Sequence, residues 1–147
     1  MSLKNILPKG EISKEMIQDL APVFEGEQLH KKQEYGAAVK KYQQALGSFP
    51  VGSSGRFMIY NKLGIVFEKL NQLDQAIAIY KQCAEEGSIT PFTYERLARL
   101  HLEIGKHGTA VDYCNKGLKS LKLAKTDLFQ EIYFQIRLRI IKLKANH

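Results

Sequence analysis

Tyr60-Asn61-Lys62-Leu63-Gly64-Ile65-Val66-Phe67, with Ala76-Ile77-Ala78-Ile79-Tyr80 nine residues further on, is the stretch that decides the fold. At about 100° per residue, Tyr60, Leu63, Gly64 and Phe67 share one face of a helix, and Ala76 and Tyr80 share one face of the next. Small residues among large ones set how near two helix axes come, so the spacing predicts a tightly packed helix hairpin. Gly64 reads as a crossing glycine that accepts alanine but not leucine, and Ala76 and Ala110 as further close crossings. A hairpin of this kind cannot bury its apolar face alone, so its neighbours should repeat it.

They do. Tyr94, Leu97, Ala98 and His101 fall 34 residues after Tyr60, Leu63, Gly64 and Phe67, and Ala110 follows Ala76 at the same distance. Residues 57–90 and 91–124 thus align without a gap. Upstream, Gly26 with Leu29, and Ala38 with Tyr42 and Ala45, keep the spacing, although Pro22 and Glu25 stand where the central repeat has Tyr60 and Leu63. A surplus of four residues lies in the turn-rich stretch Gly47 to Gly55, read as a flexible connector. The pattern resembles the tetratricopeptide repeat, with its period of about 34 residues.

Three such hairpins with flanking helices account for nearly all of the 147 residues as one domain spanning 1–147. The reading is all-α: an N-terminal helix at 11–20, repeats at 19–52, 57–90 and 91–124, and a C-terminal capping helix at 126–144. The resemblance implies a right-handed superhelix. Punctuation supports it. Ser13 caps the first helix, Pro22 breaks or kinks the chain after Ala21, and Asn71 ends a helix in a left-handed conformation. Asp74 caps the next, Thr90-Pro91 opens the third repeat, and Thr126-Asp127 starts the last helix.

The net charge of +7 is uneven: residues 1–115 carry 14 Lys and Arg against 13 Asp and Glu, and residues 116–147 carry 8 against 2. Two cysteines, Cys83 and Cys114, are too few for a disulfide framework and read as reduced core residues. No apolar run suits a signal peptide or a membrane span, so a cytoplasmic protein is the expectation. His30, His101, His107 and His147 are scattered, without metal-ligand spacing, and the glycines form no phosphate loop. The reading is of a protein that is not an enzyme, with no cofactor and no metal; His101, standing for Phe67, is a packing residue.

The resemblance implies a binding scaffold whose first helices line a concave groove for a peptide or a partner helix. Carried over by position, the groove takes Val23, Glu27 and His30 from the first repeat and Met58, Asn61, Ile65 and Glu68 from the second. Phe92, Glu95, Arg96, Arg99 and Leu102 come from the third, with the two arginines as the anchor for an anionic group. Co-chaperones similar to this fold hold acidic C-termini of large chaperones through lysine, asparagine and arginine side chains at five groove positions. This chain has Val23, Glu27, Lys62, Phe92 and Arg96 there, and only Arg96 fits.

In the last helix, Leu128, Phe129, Ile132, Tyr133, Ile136, Ile140 and Leu143 form a broad stripe expected to cap the third repeat. Phe134, Leu138 and Ile141 form a second line pointing to the opposite side, which gives the alternative of a homodimer through these residues. A weaker alternative is a basic adaptor for nucleic acid or an anionic membrane, since the lysines and arginines after residue 115 read first as solubilising.

Overall fold

The computed structural model describes residues 13–147, and every regular element among them is helical. In order they are α1 (Lys14–Lys31), α2 (Tyr35–Leu46), α3 (Ser54–Lys69), α4 (Leu73–Glu85), α5 (Pro91–Glu103), α6 (His107–Leu123) and α7 (Leu128–Ala145). Each packs on the next, giving the hairpins α1/α2, α3/α4 and α5/α6, and α7 leans on both α5 and α6. The result is an all-α superhelical stack.

One turn serves all three hairpins. Gln33, Asn71 and Gly105 follow the first helix of each at φ of 61°, 55° and 77°. The next amide then reaches back across the turn: Glu34 N to Leu29 O and Gln72 N to Phe67 O at 2.9 Å, and Lys106 N to His101 O at 2.8 Å. These are the bonds that close a helix through a left-handed residue. Asn and Gly suit that conformation; Gln33 adopts it at a cost.

The core repeats as the turn does. A Cβ placed on Gly64 would lie 2.3 Å from the Tyr80 ring, and one on Gly26 would lie 2.7 Å from the Tyr42 ring. The tyrosine therefore lies flat over bare helix backbone, so alanine at Gly64 is not accepted and the expectation of tolerance fails. In the third hairpin the same two positions hold Ala98 and Cys114, a larger residue facing a smaller one, both fully buried. Cys83 lies where the second and third hairpins pack, with Asn61 and Thr93 beside it. Burial raises both thiols, Cys114 to about 11 against a smaller opposing pull from Lys142. His101 packs against Tyr113 with its Nδ1 2.8 Å from Leu97 O.

Four expectations are corrected. No helix ends at residue 20: α1 runs from Lys14 through Pro22 without a break, and residues 11 and 12 of the expected helix lie outside the described ones. Proline forfeits one N–H bond, to Gln18, which is exposed, while the ring itself is buried against the rest of the hairpin. Asp74 lies inside the first turn of α4, whose N-cap is Gln72. The connector is anchored, since α3 begins at Ser54 with Ser53 Oγ accepting from Arg56 N at 3.3 Å. Arg56 donates to Leu46 O at 2.8 Å, to Glu86 Oε2 at 2.9 Å and to the Tyr60 hydroxyl at 3.0 Å, and Tyr60 donates to Glu86 Oε1 at 2.6 Å. Burial works to raise the Glu86 carboxyl, yet these two donors outweigh it and hold the group below its ordinary range.

The fourth correction inverts α7. Leu138 and Ile141 are buried with Ala98, Cys114 and Leu121, and Phe134 packs against that cluster. The broad stripe is the exposed one, with Phe129 81% and Leu128 71% accessible. Gly117 decides the orientation: it leaves a slot on α6 in which Leu138 sits, a Cβ there falling 2.9 Å from the leucine. Leu138 and Ile141 are thus closed to a homodimer, and of the three residues only Phe134 keeps partial exposure.

Candidate binding groove

The first helices of the hairpins meet side by side through ion pairs. Glu27 on α1 pairs with Lys62 on α3; Glu68 on α3 takes Arg99 and, at 3.6 Å, Arg96 on α5; Glu95 on α5 takes Arg137 on α7 at 2.6 Å. Glu95 is almost fully buried, and its two bonds to Arg137 keep that guanidinium firmly charged. Glu68 also accepts from the Tyr80 hydroxyl at 2.8 Å; deep burial, and then the Glu68 charge, push the phenol far up. One carboxylate thus joins the groove to the core.

Two apolar hollows open along this face. The first, about 460 Å³, lies between α3 and α5 and is lined by Phe57, Met58, Ile65, Ile89 and Phe92 with Asn61 and Lys62. The second, about 430 Å³, lies between α5 and α7 and is lined by Phe92, Phe129, Tyr133 and Phe134. Thr90 and Phe92 belong to both, so the two form one trough. Arg96 lies over Phe92, 5.0 Å from the ring centroid, with its Nε buried, short of a hydrogen bond and 3.8 Å from Glu95 Oε2.

The residues carried over by position therefore divide. Met58, Ile65 and Phe92 come together at the trough with Arg96 over Phe92, while Arg99 lies outside its lining, on Glu68. Glu27 and His30 line a separate, polar hollow with Lys31, Lys62 and Lys69, where burial, then Lys69 and Lys62, lower the imidazole's affinity for a proton. Val23 and Glu95 are buried, and Leu102 packs toward the α7 cluster. Asn61 faces inward as well as out, its Oδ1 accepting from the Thr93 hydroxyl at 3.0 Å. The two arginines are already engaged by Glu68, so an incoming anion meets them as part of a network.

Sequence reasoning missed Ile89, Phe57, Phe129 and Tyr133 as lining residues. Ile89 sits in the loop between hairpins, where helical spacing gives no signal. Among the described residues no group of His, Cys, Asp and Glu is arranged to hold a metal ion, and no helix is long and apolar enough to cross a membrane.

Residues 59–86, the central hairpin, match the family model described as tetratricopeptide repeat. The fold is similar to the TPR2B domain of yeast Sti1 in complex with a pHsp70 peptide, at 16% identity and a TM-score of 0.72 over 88% of this chain and 97% of that one. It is similar to PcrH in complex with the chaperone-binding region of PopD, at 14% identity and a TM-score of 0.71 over 95% and 97%. It is also similar to the type III secretion translocator chaperone SycD of Yersinia enterocolitica, at 21% identity and a TM-score of 0.67 over 93% and 90%. A search of curated proteins gave no match. The likenesses establish a tetratricopeptide-repeat fold, and the family model matches its central repeat.

Proposed function

We propose that this chain is a non-enzymatic interaction module that holds a partner's peptide or helix in the trough between α3, α5 and α7. The observation that supports this most is the continuity of the two hollows through Phe92, which gives a row of apolar recesses beside the Arg96 guanidinium. Shape and apolar lining with a few polar groups are what a recognition groove needs. Similar folds occur with partners bound: Sti1 with a pHsp70 peptide and PcrH with a region of PopD. The two thiols, buried apart from one another, suit a reducing cytosol, which is the compartment we infer.

A peptide library selected against the purified chain tests the reading. The best binder should lose about tenfold or more in affinity on Ile65→Glu or Phe92→Glu, each of which sets a carboxylate in the trough. Unchanged affinity in both variants would move recognition elsewhere on the molecule.

A further inference from the structure

Phe129, Tyr133, Ile136, Ile140 and Leu143 stand at i, i+4, i+7, i+11 and i+14 of α7, and all are exposed, from 45% at Ile140 to 81% at Phe129. Alternate steps of four and three are the seam along which one helix packs against another. A row this long is more than scattered apolar exposure. Its upper end, Phe129 and Tyr133, opens into the hollow beside Phe92.

The seam's flanks carry one sign of charge. By helical spacing Arg139 lies on one side and Lys144 on the other, and neither has an ion-pair partner among the described residues. The two acids nearby are turned from the seam: Asp127 accepts from Gln130 N at 2.8 Å, and Glu131 accepts from Gln135 at 3.2 Å in the hollow on α6 whose rim Arg139 also lines. A second copy laid seam to seam would oppose cation to cation with no acid between them. A flat anionic bilayer would not reach the recess at Phe92. Both observations select an occupant that is helical, narrow and acidic.

We propose that the exposed face of α7 docks an amphipathic helix of a partner protein, its apolar seam on Tyr133, Ile136 and Ile140 and its flanking carboxylates on Arg139 and Lys144. This face shares with the trough only the recess at Phe92, and its seam from Ile136 to Leu143 does not depend on the hollow between α3 and α5.

The probe is a synthetic helix of about three heptads, leucine at its seam positions and glutamate at its flanks, titrated against the purified chain. The same helix with lysine flanks is the control. The glutamate probe should bind saturably, about tenfold or more tighter than the control. Ile136→Glu with Ile140→Glu should weaken it about tenfold or more while circular dichroism stays native. Arg139→Gln with Lys144→Gln should narrow the gap between the two probes. Ile65→Glu, in the other hollow, should leave the affinity within about twofold, so that failure of this site and failure of the trough are read apart. Equal affinity for the two probes, or no loss in the Ile136 and Ile140 variant, overturns the proposal. Sedimentation of the wild type as a dimer that Ile136→Glu dissociates gives the face to a second copy. Binding to phosphatidylserine vesicles that the same substitution abolishes, without probe binding, gives it to a membrane; either result also overturns the proposal.

Discussion

The Tyr80 ring lies directly over Gly64, so close that a methyl group on Gly64 would fall 2.3 Å from its Cζ. Sixteen residues separate the two, as they separate Gly26 from Tyr42 and Ala98 from Cys114. The three pairs are versions of one joint, in which bulk lost on one helix is made up on the other. The joint sets how near the two helices of each hairpin can lie.

Gly64→Ala should destabilise the fold by about 1–3 kcal/mol through overpacking. Combined with Tyr80→Cys, which reproduces the third hairpin's pair, its cost should fall below the sum of the single changes. A double-mutant cycle by chemical denaturation gives the coupling, and additivity would mean that the two do not share a joint. Ala76, fully buried at the crossing, should likewise reject leucine.

Gln33 and Asn71 occupy the same turn, at φ of 61° and 55°. Glycine has no Cβ penalty there, so Gln33→Gly should stabilise the chain, by up to about 1 kcal/mol after the loss from a freer unfolded chain. Asn71→Gly should gain less, since asparagine tolerates the left-handed region. Thermal unfolding of both variants reads the difference, and a lower midpoint for Gln33→Gly would contradict the strain assigned to it.

Glu86 is held below the ordinary value of 4.5 by Tyr60 and Arg56, against the opposite pull of burial. A carboxyl whose folded affinity for protons is depressed adds stability above its unfolded value and loses it as pH falls through the folded one. Glu86→Gln should therefore cost about 1.5–3 kcal/mol at neutral pH. The gap to the wild type should close as pH falls below 4.5. A gap independent of pH would show that the carboxylate's charge does not matter to the anchor.

A peptide ending in two adjacent carboxylates should not bind in the trough. Val23 is buried, Glu27 is paired with Lys62, and Phe92 stands where a cation is needed. A titration with such a peptide should show no saturation at high micromolar concentration. Saturable binding lost on Arg96→Ala would mean that Glu68 releases the arginine to a ligand.

The hairpins were legible because each hairpin joint is local: the glycine, the aromatic and the alanine are fixed by spacing along a single hairpin. The facing of α7 was not. Its wider stripe looked like the buried side by area, but burial went to Leu138 because Gly117, 21 residues earlier, leaves a slot of its size. Arg137 reinforces the choice by reaching Glu95 on α5. Likewise Arg96 and Arg99 were visible as groove cations, whereas their capture by Glu68 depends on how α3 lies against α5. Shape complementarity between distant segments leaves no period in the sequence.

The pairs Glu27 with Lys62, Glu68 with Arg99 and Glu95 with Arg137 join neighbouring hairpins along one edge of the stack. The apolar contacts that join them elsewhere are not weakened by salt; of the three pairs Glu27 with Lys62 is the most open to screening, and Glu95 with Arg137, its carboxylate buried, is screened much less. The stack is an arch with electrostatic tie-bars across its span and an apolar spine behind. Raising the ionic strength slackens the tie between Glu27 and Lys62 first and leaves the spine and the buried ties, so the first hairpin should loosen from the second while the recesses between α3, α5 and α7 keep their spacing.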